Sequence, residues 1–106
     1  MSINTEAVGN SNTIVYTSTN SSAITNLTLC NYSASTNVTI SLHVVPNGAT
    51  ATDANIMLKD LTITAGDTYV LYAGGEKLLF DNGDFINVIS SANSAVTAIT
   101  SYTAIY

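Results

Sequence analysis

The stretch Val38-Thr39-Ile40-Ser41-Leu42-His43-Val44 decides how this chain folds. Val38, Ile40, Leu42 and Val44 fall on one side of an extended backbone, and Thr39, Ser41 and His43 fall on the other. That period of two belongs to a strand with one buried and one solvated face. A helix would spread the same residues around its circumference. Pro46-Asn47-Gly48 follows at once and ends the strand, because proline offers no amide donor and Asn-Gly favours a turn.

Strand signals continue in both directions. Upstream, Thr13-Ile14-Val15-Tyr16-Thr17 and the run from Ile24 to Tyr32 are β-branched and aromatic. The link Tyr32-Ser33-Ala34-Ser35-Thr36-Asn37 reads as a hairpin loop between two strands. Downstream, residues 48–55 read as an exposed polar loop, and Ile56 to Ile63 as a strand bent near Asp60. Ala65-Gly66-Asp67-Thr68 is a turn that uses glycine for positive φ. Tyr69-Val70-Leu71-Tyr72 is a short strand broken by Gly74-Gly75, and Lys77 to Phe80 resumes it. Asp81-Asn82-Gly83-Asp84 carries an Asn-Gly pair between apolar runs, a hairpin signal. Phe85 to Ile89 and Ala95 to Tyr106 are the last strands, with a loop over 90–94 between them.

No window shows the 3.6-residue period of an amphipathic helix. About seven to eight short antiparallel strands, with turns between them, predict an all-β single domain, a β-sandwich or jelly-roll-like unit. Residues 1–12 are polar and close on Gly9-Asn10-Ser11-Asn12. They are read as a flexible N-terminal arm or a first edge segment, ahead of a sandwich domain over 13–106.

Composition narrows the function. Of 106 residues, 46% are hydrophobic and only 8% charged, so the chain has the apolar content of a folded domain without its usual charge. Its polarity comes from neutral hydroxyl and amide groups, which a neighbour can cover at lower desolvation cost than charges. The net charge is −5, and Lys59 and Lys77 are the only cations. No basic patch can be built from them, which argues against nucleic acid and against anionic membrane surfaces as partners. No apolar run approaches the roughly 18 residues that a spanning helix needs. The opening residues lack the basic and apolar regions of a secretory leader, so none is expected there. A lone Cys30 excludes an internal disulfide and fits folding in a reducing cytoplasm.

No reactive constellation emerges. His43 is the only histidine and lies in phase with Thr39 and Ser41, as an ordinary surface or interface side chain. Cys30 reads as a small buried hydrophobe. One cysteine and one histidine cannot make a zinc site. Asp81-Asn82-Gly83-Asp84 superficially resembles a calcium loop but lacks the ligand ladder that ends in a bidentate glutamate. No catalytic, cofactor or metal residue is assigned, and the chain is not expected to be an enzyme. The four Asn-x-Ser/Thr sequons, at Asn20, Asn26, Asn31 and Asn37, are what chance gives in so Ser-, Thr- and Asn-rich a chain. Tyr16, Tyr32, Tyr69, Tyr72, Tyr102 and Tyr106 suit either contact surfaces or strand packing.

One order of segments adds to this reading. A strand ending Val15-Tyr16-Thr17 precedes Leu27-Thr28-Leu29-Cys30-Asn31 and then Val38-Thr39-Ile40-Ser41-Leu42. Ala65-Gly66-Asp67-Thr68 and the run Leu78-Leu79-Phe80-Asp81-Asn82-Gly83-Asp84-Phe85-Ile86-Asn87-Val88 come next, before a final strand near Tyr102. Over about residues 14–106 this order resembles small β-sandwich virion proteins of tailed bacteriophages. The resemblance implies a structural protein of a phage particle, made in the host cytoplasm and located in the virion. A capsid decoration or cement protein bound to the major capsid protein lattice is the first expectation, as a homo-oligomer in the particle. A neck, tail or baseplate accessory protein is the alternative, and a host-surface carbohydrate-binding module a further one. The resemblance carries no functional residues across.

Overall fold

The computed structural model describes residues 2–71, 78–93 and 95–105. Every regular element in it is a strand. In chain order they are β1 (Ser2–Val8), β2 (Thr13–Thr17), β3 (Ser21–Asn31), β4 (Val38–Val45), β5 (Ile56–Ile63), β6 (Thr68–Leu71), β7 (Leu78–Phe80), β8 (Phe85–Ser90) and β9 (Val96–Ile105). One sheet has the order β1-β9-β3-β6, and β7 also pairs with β3; the other has the order β2-β8-β4-β5. All pairings are antiparallel.

β6 pairs with Leu27–Cys30 and β7 with Ser22–Ile24, so the two lie end to end along β3 as one edge strand in two pieces. Counted as one, they leave two sheets of four strands. First pairs with last (β1 with β9), β2 with β8, β3 with the β6/β7 edge, and β4 with β5. That nesting is the strand order of a jelly-roll sandwich, and the expected all-β single sandwich is what forms.

Two local readings change. The 32–37 link and the 81–84 turn both carry hairpin signals, and neither closes a hairpin. The first leads from β3 in one sheet to β4 in the other, and the second from β7 to β8, again across the sandwich. The turn chemistry itself holds: Gly83 sits at φ +88° and Gly66 at φ +82°, conformations that cost glycine least. Turn chemistry reverses the chain; it does not say which strand the returning segment will pair with.

The polar opening segment takes the second form its sequence allowed. Ser2–Val8 pairs residue for residue with Val96–Tyr102 and is the edge of a sheet, not an arm ahead of residue 13. Val8, at its end, is buried in the core. The expected bend at Asp60 is present: its φ is +50°, the β4–β5 register shifts beside it, and its N–H donates to Ser41 Oγ at 3.2 Å. The Gly74-Gly75 break, Tyr72 and Lys77 lie outside the described residues.

The core is the layer between the sheets. Val38, Ile40 and Leu42 enter it from β4, as their alternation requires, and Ile86 and Val88 enter from β8. Ile24, Leu27, Leu29, Val96 and Ala98 meet them from the other sheet. At one end the Tyr16 ring stands 4.6 Å from that of Tyr102 and 6.1 Å from that of Phe80. Its buried hydroxyl is matched by Ser22 Oγ at 2.9 Å, which in turn meets Ser18 Oγ at 2.7 Å. An aromatic ring with a polar tip can enter a core only with such a partner.

Candidate functional site

The residues singled out for chemistry are dispersed. His43 is not on the surface: only 7% of it is exposed, and its Nδ1 has no hydrogen-bond partner. The reason is its place in the sheet. β4 is an interior strand, and His43 is flanked across it by Asn87 of β8 and Ile56 of β5. Asn87 is itself buried and donates through Nδ2 to Asn12 Oδ1 at 3.2 Å. No acid or nucleophile is among these neighbours.

Cys30 also departs from expectation. It is partly exposed rather than buried, on the outer face of its sheet between Thr97 and Thr68. In the Asp81–Asp84 turn both carboxylate oxygens of Asp84 are taken up by backbone amides: Oδ2 accepts the Asp81 N–H of the turn itself and Oδ1 the Asn47 N–H of the neighbouring loop, each at 2.9 Å. Among the described residues no group of three or more His, Cys, Asp or Glu is placed to hold a metal. The hollow in the 46–55 loop is lined by Pro46, Gly48, Ala49, Thr50, Thr52, Ala54 and Asn55, none of them titratable. Of the described tyrosines, Tyr16 is buried, Tyr69 and Tyr102 pack against the core, and only Tyr32, at 52%, stands exposed. Tyr72 and Tyr106 lie outside the described residues.

What the structure does assemble is a surface. In the β1-β9-β3-β6 sheet, Val96, Ala98, Leu27 and Leu29 point into the core, so the alternate residues face out. Cross-strand register sets these in rows. Thr5, Ile99, Thr28 and Val70 form the central row. Ala7, Thr97, Cys30 and Thr68 form the row on one side of it. Ile3, Ser101 and Asn26 form the row on the other. No charged side chain stands in any of the three rows.

The described charges are elsewhere. Lys59 and Asp60 are on β5 of the opposite sheet, Asp53, Asp67, Asp81 and Asp84 are in loops and turns, and Glu6 is on the alternate phase of β1, opposite Ala98. Ile3, Ile99 and Val70 are 68%, 36% and 47% exposed on this face. Aliphatic side chains this accessible, set among hydroxyls and carrying no charge, are cheap to dehydrate. Sequence reasoning missed the surface because a period of two tells which residues share a strand face. It does not tell which strands lie side by side.

The chain matches no family model, no curated protein and no solved structure.

Proposed function

We propose that this chain is a structural protein of a phage particle, most simply a capsid decoration or cement protein that docks on the assembled lattice of the major capsid protein. The observation that carries the reading is the outer face of the β1-β9-β3-β6 sheet, which bears no charge among its described residues, on an otherwise acidic molecule. Such a face gives up little hydration on contact, whereas the charged β5 and turn regions would lose much. The sequence resemblance to small β-sandwich virion proteins supports the same reading. The jelly-roll frame is used by viral capsid domains, although a frame alone does not assign a function. Each docking contact is modest, and repetition over a lattice makes occupancy stable through multivalency.

Quantitative mass spectrometry of purified virions of the encoding phage tests this. On the order of hundreds of copies per particle is the expected result. Tens or fewer would move the protein to the neck, tail or baseplate. Absence from the particle would overturn the proposal. The same architecture serves lectins, and the exposed Tyr32 gives that reading a foothold among the described residues, so glycan-array binding without virion incorporation would favour a carbohydrate-binding module.

A further inference from the structure

A sandwich of open sheets has edges, and three of the four here are obstructed. β5 carries Lys59, a left-handed Asp60 and shifts of register against β4. β2 has a register shift between Ile14 and Tyr16. The β6/β7 edge comes in two pieces. Bulges, charges and interruptions of this kind keep a strand edge from pairing with another chain. β1 has no bulge and no interruption, and its one charge, Glu6, lies on the phase opposite to Ile3, Thr5 and Ala7. It pairs with β9 over seven consecutive residues without a shift, has no proline or lysine, and exposes Ile3, Thr5, Glu6 and Ala7.

We propose that β1 pairs with β1 of a second copy of this chain, antiparallel about a two-fold axis through Thr5. The strand is self-complementary in that register. Thr5 meets Thr5 of the other copy. Ile3 meets Ala7, which covers the most exposed large apolar side chain among the described residues. Glu6 meets Asn4, so the two glutamates lie diagonally across the seam and not directly opposite each other. A shift that put Glu6 on the axis would set like charges face to face. A shift that put Asn4 there would set Ile3 against Thr5 instead of Ala7 and carry Ala7 and Val8 past the Ser2–Val8 strand of the other copy. In a chain of net charge −5, this register at least keeps the edge's one acid from facing its copy directly.

Antiparallel pairing in the sheet plane keeps outer face beside outer face, so the two uncharged faces become one platform. At strand spacings of about 4.8 Å and a rise of about 3.4 Å per residue, one face covers roughly 450 Å² and the pair about 900 Å². The larger figure reaches the ~800 Å² per partner of a standard interface. The pairing thus deepens the contact-making reading of the preceding subsection but uses a different surface.

Light scattering coupled to size exclusion of the full chain tests it. The native protein should run at twice its 11.0 kDa mass. Thr5→Lys and Thr5→Glu should each run at the single mass, since each sets like charges on the axis. An equal mixture of the two should return to the double mass. A native monomer at high concentration, a dimer indifferent to Thr5→Lys, or a mixture that stays monomeric overturns the proposal. Should either Thr5 variant lose its strand-type far-UV spectrum, Ala7→Lys replaces it and is expected to run at the single mass; a dimer would again overturn the pairing. Loss of virion docking with the dimer intact would count against the function alone, and a monomer that still docks would count against the pairing alone.

Discussion

Asn31 Nδ2 donates to the carbonyl oxygen of Ile63 at 2.9 Å, tying the end of β3 in one sheet to the end of β5 in the other. The same amide donates to the Thr36 carbonyl at 2.8 Å, and Oδ1 accepts the Ser33 N–H at 3.0 Å. Its backbone joins the 64–67 turn by accepting from Gly66 N–H and donating to the Asp67 carbonyl, both at 2.9 Å. One fully buried side chain therefore holds the crossover that takes the chain from sheet to sheet. Asn31→Ala leaves two carbonyls and an amide to find other partners. We expect a loss of about 3 kcal/mol, read as a lowered urea midpoint with an unchanged slope. A loss under ~1 kcal/mol would mean that water replaces the side chain and that the crossover holds without it.

Thr100 presents the opposite case. It points into the core opposite Leu27, is fully buried, and its Oγ1 has no partner. Thr100→Val keeps the shape and removes the unsatisfied hydroxyl. The variant should be as stable as the native protein or up to ~1 kcal/mol more so, measured by thermal unfolding. A clear destabilisation would reveal a hydrogen-bond partner for the hydroxyl.

Gly83 and Gly66 separate backbone strain from contact. Both have positive φ, but a Cβ on Gly83 would lie 2.5 Å from Asn47 Cγ, whereas one on Gly66 would meet nothing within 4 Å. Gly66→Ala should cost about 1 kcal/mol from backbone strain alone. Gly83→Ala should cost clearly more. Adding Asn47→Ala should bring its cost down towards that of Gly66→Ala, and an unchanged cost would show that the contact contributes nothing.

The neutral face makes a prediction that leaves the fold alone. Ile99→Lys and Val70→Lys place cations where the side chains are already accessible, so stability should change by no more than about 0.5 kcal/mol. Incorporation into particles should nevertheless fall, because each variant must strip a charge of water on docking. Normal copy number in a pull-down of intact virions would remove the face from the docking surface.

Much of this fold was legible because its strands carry their own signals. Val38–Val44 reports its burial through a period of two, and positive-φ glycines sit in the turns that Ala65–Thr68 and Asp81–Asp84 announce. What was not legible depends on distant residues. Nothing near Asn82-Gly83 reveals that β8 will cross to the other sheet, since the same turn also closes hairpins. His43 has the phase of a surface residue, and only the interior position of β4 buries it. The uncharged face is composed from β1, β9, β3 and β6, whose adjacency arises from pairing the first strand with the last.

The most direct test of the contact-making claim is an electron-microscopic reconstruction of the particle with this protein located and oriented. The β1-β9-β3-β6 sheet should lie against its neighbour, with Ile99 and Val70 covered and Lys59 and Asp60 turned to solvent. A domain seated on its charged β5 side with that sheet bare, or a particle without the protein, would contradict the account.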